Sequence, residues 1–294
     1  LCLCSGCRRG QRKHHPDASI SLLTTKSFKM LGESCGYFDH VIIDQRPKFY
    51  EVSKWMRLKK LLNESKFSRI YDLQNNDRTN IYFKLLNSPK PEWVGTAKGC
   101  SHRNTDKNRV QGHAFDGHKQ TLKIAGINNI ELDELKWAQA DISDIKIKSP
   151  FILLVPGSAP TRLEKRWPSS HYAIVAKKLA DAGYQTLILG SKEERPIANI
   201  ISRDIPGSVD LTGQTSLFQI VELSRKAKLA IGNDTGPMHL IAATSCPCIV
   251  LFSGKAYPHK HAPKGEDITV IQEDSLDDLS PDSVIQILIN KEII

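Results

Sequence analysis

Residues 229–240, with the sequence LAIGNDTGPMHL, decide the fold of this chain. Residues 229–231 are a short apolar run, which is typical of a buried strand. Residues 232–236 (GNDTG) form a polar turn that contains two glycines, and Pro237 suits the first position of a helix continuing through 238–244. A strand, a tight turn and a helix in this order predict one unit of an open α/β sheet.

The rest of the second half repeats this alternation of short apolar runs and amphipathic helical stretches. Strands are expected at 151–155 (FILLV), 186–189 and 248–252, and helices at 170–182, at 192–202, after the capping-box pair Ser216 and Gln219, and after Ser280-Pro281. We therefore predict a parallel sheet that is covered by helices on both faces.

The first half shows the same alternation less regularly. Strands are expected at 20–23, 41–43, 70–73 and 93–95, and helices at 50–62 and 79–86. Residues 98–117 are polar and rich in histidine without apolar periodicity, so they are predicted to form a long loop, which is usually functional inside a compact domain. With 141–150 as a connection, the sequence predicts two domains, 1–145 and 146–294.

The beginning of the chain is unusual for an open α/β domain. Such a domain opens with a buried strand and a turn that contains glycine, whereas residues 1–10 are LCLCSGCRRG. We therefore expect the first βα unit to be absent or abnormal. The seven cysteines are odd in number and scattered, which is no disulfide framework. Cys2, Cys4 and Cys7 are at most half of a metal knuckle, because no second cysteine pair follows at zinc-site spacing.

The composition excludes several classes of protein. With 40% hydrophobic and 25% charged residues, the chain of 294 residues is expected to fold rather than to be disordered. No apolar run approaches the roughly 20 residues of a spanning helix, and the basic residues near the start follow the apolar piece, the reverse of a secretory signal. A cytoplasmic location is therefore expected. No GxGxxG or GxxxxGK[ST] sequence opens a strand–helix unit, which argues against dehydrogenases and P-loop enzymes.

The first half carries the whole excess of positive charge. Residues 1–150 contain 26 Lys and Arg against 16 Asp and Glu, whereas the remainder contains 15 against 16. This asymmetry indicates an anionic partner near the first half, either nucleic acid, acidic lipid or a phosphorylated acceptor, and solvated lysines without a partner are the alternative. Nucleic acid is not expected, because the basic residues lack clustered aromatics and no recognised module is present.

Polar residues at the predicted strand ends are candidates for an anion site. In a doubly wound sheet, ligands bind at the carboxyl ends of the strands, where free backbone N–H groups favour an anion such as a diphosphate. Asp234 is expected to hold sugar or ribose hydroxyls, Thr235 and Gly236 to offer N–H groups, and His239 to face the same cleft. The alternative is that Asp234 and Thr235 only cap the helix.

A second group of candidates follows the strand predicted at 151–155. The sequence there contains Pro156-Gly157-Ser158 and then Thr161, Arg162, Lys165 and Arg166. Two or three cations beside a strand end favour a phosphate site, and a solvated basic loop is the alternative. Glu193 follows the next strand, where it either accepts from a ribose diol or complements the dipole of a helix.

These motifs resemble the glycosyltransferase family that includes the ADP-heptose:lipopolysaccharide heptosyltransferases. The matching segments are PGS at 156–158, KRWP at 165–168, GSKEE at 190–194, DLTGQTSL at 210–217 and GNDTGPMHL at 232–240. The resemblance covers nearly all of the second half in order and spacing. In the first half it depends on HHPDASISLLTT at 14–25 and YDLQ at 71–74.

The resemblance implies a GT-B fold, in which two Rossmann-like domains face each other across a cleft. The second domain would bind the nucleotide-sugar donor and the first domain the acceptor. Carried over by position, the donor-binding residues are Ser158, Thr161, Lys165, Glu193, Asp234, Thr235, Gly236 and His239. Among them, Thr161 and Lys165 would contact the donor phosphates and Glu193 the ribose.

The resemblance also implies a reaction that inverts the anomeric carbon without a metal or other cofactor. A carboxylate would take the proton of the acceptor while cations and helix N-termini stabilise the leaving diphosphate. The family's base is an Asp in a Gly-Asp turn of the first βα unit, and residues 1–20 contain no Gly-Asp pair. No catalytic base is assigned, and Asp17, Asp72, Asp77 and Asp116 are the carboxylates considered.

The predicted loop at 98–117 and the residue after it supply candidates for acceptor binding. Arg103, Arg109, His113 and His118 lie close in sequence and are expected to grip an anionic acceptor, in keeping with the positive first half. A purely structural loop is the alternative. A metal site is a further alternative, although the histidines show no recognisable ligand spacing.

The expected function is transfer of heptose from ADP-heptose, or a related nucleotide-sugar, to the phosphorylated inner core of a lipopolysaccharide precursor. The enzyme would work in the cytoplasm, with peripheral contact to the inner membrane surface. Transfer of another sugar is one alternative. A non-catalytic nucleotide-sugar-binding protein that has lost its base is the other.

Overall fold

The computed structural model describes residues 5–294, so Cys2 and Cys4, two of the three cysteines considered as half of a metal knuckle, lie outside the described residues. Contacts between Cα atoms divide the chain into an N-terminal unit, Leu1–Asp133, and a C-terminal unit, Glu134–Ile294. Both units contain parallel strands and helices, which confirms the predicted α/β class. The predicted domain limits and the abnormal first βα unit remain predictions.

The N-terminal unit alternates short strands with helices. Its elements are α1 (Ser5–His14), β1 (Ser21–Thr24), α2 (Lys29–Ser34), β2 (His40–Ile43), α3 (Val52–Glu64), β3 (Arg69–Tyr71), α4 (Asp77–Leu85), β4 (Glu92–Gly95), β5 (His102–Arg103) and α5 (Ala114–Lys123). The strands form two parallel sheets, one with β1 beside β2 and one with β4 between β3 and β5.

Two apolar clusters hold the N-terminal unit together. Leu58 of α3 and Phe83 of α4 pack with Trp93 of β4 in the first cluster. Phe115 of α5 packs with Cys7 of α1 in the second. Helices on both sides of the three-stranded sheet thus bury its apolar side chains, as expected when parallel strands are covered on both faces.

The prediction of a long loop at 98–117 is wrong. This segment contains β5, a 3₁₀ helix at Lys107–Val110 and the first turn of α5. Helix α5 escaped the sequence analysis because its buried face includes Gly117 and Thr121 beside Phe115 and Leu122, so the apolar pattern is incomplete. Gly117 is required there, since a Cβ atom would lie 2.5 Å from the carbonyl oxygen of Arg109.

The C-terminal unit contains the strands and helices that the sequence predicts for the second half, together with two strands and one short helix that were not predicted. Its elements are β6 (Phe151–Val155), α6 (Ser169–Asp181), β7 (Gln185–Ile188), α7 (Arg195–Ser202), β8 (Val209–Asp210), α8 (Leu217–Lys226), β9 (Leu229–Asn233), α9 (Gly236–Ala242), β10 (Cys248–Ser253), α10 (Pro258–His261), β11 (Ile268–Glu273) and α11 (Pro281–Asn290). The predicted capping box of Ser216 and Gln219 precedes α8, and Ser280 caps α11.

The six strands of this unit form one parallel sheet in the order β11-β10-β9-β6-β7-β8. The chain starts in the middle at β6, builds outward to β8, returns to place β9 on the other side of β6 and continues to β11. This is the strand order of the doubly wound Rossmann fold. Its direction of winding reverses between β6 and β9, and ligands of such folds bind outside the carboxyl ends of the strands at that point.

Alternate residues of β6 face two separate cores. Ile152 and Leu154 pack in a cluster with side chains of α6, α7 and α11. Phe151, Leu153 and Val155 pack in a second cluster with side chains of α8 and α9. Both faces of the sheet are therefore covered, which explains why β6 consists only of apolar residues.

The predicted connection at 141–150 contains no helix or strand. Ile142 is buried in the second of these clusters, and Ile145 and Ile147 pack against it. These residues are therefore anchored to the C-terminal unit by apolar contacts, although they have no regular secondary structure.

Candidate functional site

The carboxyl ends of β6 and β9 bring two of the sequence motifs together. Val155 at the end of β6 is paired with Gly232 of β9, so the segments that follow these residues leave the sheet at the same edge. The PGS motif follows Val155, and the turn that begins with Asn233 follows Gly232. These segments lie at the point where the winding of the sheet reverses.

Asn233 ties these segments together, and the sequence analysis did not single it out. Its side chain is completely buried. The amide Nδ2 donates to the carbonyl oxygens of Pro156 at 2.7 Å and Gly157 at 3.2 Å. The amide Oδ1 accepts from the backbone N–H of Trp167 at 3.2 Å and from the hydroxyl of Tyr172 at 3.1 Å. One amide thus fixes the end of β6, the residue after the basic loop and the first turns of α6.

Lys165 and Asp234 form an ion pair at the strand ends, 69 positions apart in sequence. Lys165 Nζ lies 2.5 Å from Asp234 Oδ2. The two side chains are 21% and 11% exposed, so both charges are largely shielded from water while one side of the lysine still reaches solvent. A cation held in this way is positioned to meet an anionic ligand, because the carboxylate orients it without enclosing it.

Glu194 occupies the space between the ends of β6 and β7. Its carboxylate accepts from the backbone N–H of Ser191 at 2.7 Å as part of a capping box. A Cβ atom at Gly157 would lie 1.7 Å from Glu194 Oε1, and one at Gly190 would lie 2.8 Å from Glu194 Oε2. The two glycines are therefore needed to admit this carboxylate. Arg166 Nη2 lies 4.0 Å from Glu194 Oε1.

Two hydroxyl groups at the strand ends have no hydrogen-bond partner among residues 5–294. Thr235 Oγ1, just after β9, and Ser253 Oγ, at the end of β10, are both buried. The neighbouring strands pair Leu251 with Asn233, so Thr235 and Ser253 each lie two residues beyond this registered pair. Buried hydroxyls are normally satisfied, so these two groups are available to a ligand or to water.

The start of α9 differs from the simple helix-cap alternative. Thr235 is the N-cap residue, but its side chain makes no capping hydrogen bond. The side chain of Asp234 is engaged with Lys165. Helix α9 therefore begins at Gly236, and the side chain of Thr235 accepts no hydrogen bond from the backbone N–H groups of the first turn. Gly236 is exposed, and His239 is half-buried within α9.

The remaining donor-binding candidates differ in their surroundings. The buried hydroxyl of Ser158 donates to the carbonyl oxygen of Arg162 at 2.8 Å and accepts from Arg166 Nε at 3.1 Å, so it shapes the basic loop. Thr161 is exposed. Glu193 is also exposed, and a hydrogen bond from the Ser191 side chain lowers the pKa of its carboxyl group. Its neighbour Glu194 is the glutamate that lies at the strand ends.

The predicted acceptor-binding residues lie in the N-terminal unit on β5, the 3₁₀ helix and α5. Arg103 is exposed, and its Nε donates to the carbonyl oxygen of Thr96 at 3.4 Å. Arg109 is half-buried. The Nδ1 atom of His113 accepts from the backbone N–H of Phe115 at 3.1 Å, so this histidine caps α5. His118 Nδ1 is buried without a hydrogen-bond partner among the described residues.

The four carboxylates considered as a base are in different environments. Asp17, Asp77 and Asp116 are exposed. Asp72 is buried directly after β3, where its Oδ1 accepts from the backbone N–H groups of two following residues, at 3.0 and 2.9 Å. Burial raises the pKa of Asp72, and the backbone N–H group of Asn75 partly opposes this effect. No carboxylate of the described residues is assigned as the base.

The geometry of the C-terminal unit supports the binding of an anionic ligand next to two hydroxyl groups of the protein. Lys165 supplies a positioned cation, and Thr235 and Ser253 supply hydroxyls without partners. Within residues 5–294, no group of three or more His, Cys, Asp and Glu side chains is arranged to hold a metal ion. None of the described helices is both long and apolar enough to cross a bilayer.

Comparisons with known proteins agree on one family. The sequence profile of glycosyltransferase family 9 (heptosyltransferase) matches residues 55–281. Lipopolysaccharide heptosyltransferase 2 of Salmonella typhimurium is 32% identical over 250 residues, which are 76% of this chain and 70% of that protein. Lipooligosaccharide heptosyltransferase 2 of Haemophilus influenzae is 34% identical over 128 residues, which are 42% of this chain and only 36% of that protein.

The fold agrees with a solved heptosyltransferase structure. The structure of Escherichia coli ADP-heptose lipopolysaccharide heptosyltransferase II matches with a TM-score of 0.73 and 22% identity, over 99% of this chain and 96% of that one. The expected GT-B type of α/β fold is thereby confirmed. On the strength of the profile match and the Salmonella relative, the chain belongs to glycosyltransferase family 9, the heptosyltransferase family.

Proposed function

We propose that this protein transfers heptose from ADP-heptose to the inner core of a lipopolysaccharide precursor. The observation that carries the proposal is the Lys165–Asp234 pair at the ends of β6 and β9, in a chain of the heptosyltransferase family. The Salmonella and Haemophilus relatives are heptosyltransferases of lipopolysaccharide and lipooligosaccharide, and the Escherichia coli structure is of an ADP-heptose enzyme. These names support the sugar, the nucleotide and the acceptor class.

The donor would bind at the strand ends of the C-terminal unit. Lys165 would contact the diphosphate, which would compete with Asp234 for the ammonium group and free this carboxylate to accept from sugar hydroxyls. Thr235, Gly236 and His239 would lie along the diphosphate and sugar, and Thr161 would contact the phosphates from the basic loop. The ribose would be held by Glu193 or by its buried neighbour Glu194, which the geometry favours.

The chemistry would consist of leaving-group stabilisation and positioning. As the bond between the anomeric carbon and the diphosphate breaks, negative charge grows on the phosphate oxygen, and Lys165 would stabilise that charge. Asn233 would keep the loop that carries Lys165 in register with β9. The proton of the acceptor hydroxyl would pass to a carboxylate, in a reaction that inverts the anomeric carbon.

The acceptor would bind on the N-terminal unit, which holds the excess of basic residues. A phosphorylated, lipid-linked acceptor suits this charge. Arg103, Arg109 and His118 would contact its anionic groups, whereas the side chain of His113 caps α5 by accepting from the backbone N–H of Phe115. The enzyme would work in the cytoplasm and contact the inner membrane from that side, where its acceptor is inserted.

The test is a transfer assay with ADP-heptose and a lipopolysaccharide precursor that lacks heptose. We expect release of ADP together with a mass increase of one heptose on the acceptor. An Asp234→Asn variant should lose most of this activity, whereas Asp181→Asn, at the end of α6, should retain it. Calorimetry with ADP-heptose adds a second readout. Donor binding without any transfer would contradict the proposal and identify a nucleotide-sugar-binding protein.

A further inference from the structure

Four large apolar side chains are exposed within eight positions of the N-terminal unit. Phe49 is 89% exposed, Val52 66%, Met56 63% and Tyr50 61%. Single exposed apolar residues are common, but a contiguous group of this size usually marks an interaction site. We call the surface formed by Arg46, Lys48, Phe49, Tyr50, Val52, Met56, Lys59 and Lys60 the basic-apolar surface.

The segment that carries these side chains is well anchored. The indole N–H of Trp55 donates to the carbonyl oxygen of Lys48 at 2.9 Å, and the Glu51 carboxylate accepts from the backbone N–H of Lys48 at 2.7 Å. Arg78 of α4 donates to the carbonyl oxygen of Pro47 at 3.1 Å. Phe49 is therefore exposed on a segment held at several points, rather than on an unrestrained loop.

Helix α3 presents its exposed residues on one face. Leu58 and Leu62 are buried in the first apolar cluster of the N-terminal unit. At 100° per residue, Val52, Met56, Lys59 and Lys60 lie within one arc of about 100° that contains neither Leu58 nor Leu62, and all four are exposed. The outer face of α3 is thus apolar in its first turns and basic further along, and it continues from Phe49 and Tyr50.

The charge of this region is strongly positive. Residues 44–66 contain seven Lys and Arg against three Asp and Glu. Lys54 is paired with Glu51, and Lys60 lies 3.7 Å from Glu64. Within the part of the chain that the structure describes, Arg46, Lys48, Arg57, Lys59 and Lys66 have no ion pair. Lys48 instead lies over the ring of Tyr50, 5.8 Å from its centre.

We propose that the basic-apolar surface docks the protein on an anionic lipid bilayer. Phe49, Val52 and Met56 would insert at the boundary between headgroups and acyl chains, and Lys59 and Lys60 would lie among the anionic headgroups. Exposed aliphatic side chains beside aromatic rings and lysines suit a bilayer better than a nucleic acid, because Val52 and Met56 can insert among acyl chains but cannot stack on bases as the rings of Phe49 and Tyr50 can. The proposal rests on the proposed function only for the reason why the protein would bind a bilayer, which is that the lipid-linked acceptor is held there.

The test is sedimentation of the full chain with lipid vesicles, in the absence of any sugar nucleotide. Vesicles with about 30% phosphatidylglycerol in phosphatidylcholine should bind the protein, and pure phosphatidylcholine should bind it much more weakly. Binding should weaken as salt is added. Lys59→Gln with Lys60→Gln should weaken it roughly 25-fold, since each lysine contributes about fivefold near an anionic surface. Phe49→Ser with Met56→Ser should weaken it about tenfold or more.

Helix α6 of the C-terminal unit offers matched controls. Lys177→Gln with Lys178→Gln removes the same charge from two adjacent exposed lysines, and Ile174→Ser removes a half-exposed apolar side chain. Both controls should bind vesicles like the wild type. Circular dichroism and calorimetry with ADP-heptose should show that every variant is folded and binds the donor equally.

The proposal is overturned if the wild type binds neutral and anionic vesicles equally. It is also overturned if the variants of the basic-apolar surface and the control variants of α6 lose binding to the same extent. Competition by transfer RNA with an affinity above that of the vesicles would also overturn it and would indicate a nucleic-acid surface. Failure of vesicle binding, together with normal heptose transfer to a delipidated acceptor, would reject the docking surface and leave the proposed function standing.

Discussion

Replacement of Asn233 tests whether one buried amide holds the candidate donor site together. Asn233→Ala removes the partner of four buried groups, namely two carbonyl oxygens, the N–H of Trp167 and the hydroxyl of Tyr172. An unsatisfied buried group costs about 1–3 kcal/mol, but the four costs are coupled and water will refill part of the space. We expect the free energy of unfolding to fall by about 3–5 kcal/mol.

Asn233→Asp keeps the shape of the side chain, but its effect on the free energy of unfolding should depend on pH. One oxygen of the new carboxylate still accepts from Trp167 and Tyr172. The other oxygen has no proton to donate to the carbonyl oxygens of Pro156 and Gly157, which accept from the amide in the wild type. Burial and these carbonyls would raise the pKa of the new carboxyl group in the folded protein above its value in the unfolded chain. The folded state then binds the proton more tightly, so the stability that protonation supplies is present at low pH and is lost as the pH rises.

Urea denaturation followed by circular dichroism measures both effects. The stability gap between Asn233→Asp and wild type should widen between about pH 5 and about pH 8, whereas the gap for Asn233→Ala should stay nearly constant. Comparison with wild type at each pH removes the titration of all other groups. The reasoning is refuted if Asn233→Ala unfolds at the urea concentration of wild type, or if the two variants respond to pH alike.

Three further substitutions probe other parts of the fold. Gly157→Ala places a methyl group against the Glu194 carboxylate and should displace it. Loss of the capping box should lower the free energy of unfolding by about 1–2 kcal/mol, as measured by urea titration, and calorimetry should show weaker ADP-heptose binding. Asp72→Asn keeps the acceptor at Oδ1 and removes a buried charge with a raised pKa, so it should stabilise the protein more at high pH than at low pH, as thermal unfolding would show. Ser216→Ala removes the cap of α8 and should cost about 1 kcal/mol in urea denaturation, whereas Ser216→Thr should cost less.

Local sequence signals were sufficient for most elements of the C-terminal unit, although β8, α10 and β11 were not predicted. The apolar run of β6 is long enough to fill a strand buried on both faces, and Gly183 and Ser216 mark helix ends by local chemistry. These features depend on residues near each other in sequence, which is why they could be predicted.

The site required contacts that no local pattern contains. Asn233 was visible within the GNDTG turn, but its partners lie 61 to 77 positions away, and only the folded sheet brings them together. Glu194 was passed over for Glu193 because a shift of one residue in a helical turn moves a side chain from solvent to the interior. In the N-terminal unit, α5 was hidden because glycine and threonine take positions on its buried face.

Calorimetry of ADP-heptose binding to a Lys165→Met variant is the most direct test of the central claim, that the ends of β6 and β9 bind the donor diphosphate. A charge-assisted contact contributes about 1.5–3 kcal/mol, so the variant should bind roughly 10- to 150-fold more weakly. Lys178→Met, on the exposed side of α6, should bind like the wild type. Equal affinity of the Lys165→Met variant and the wild type for ADP-heptose would contradict the account.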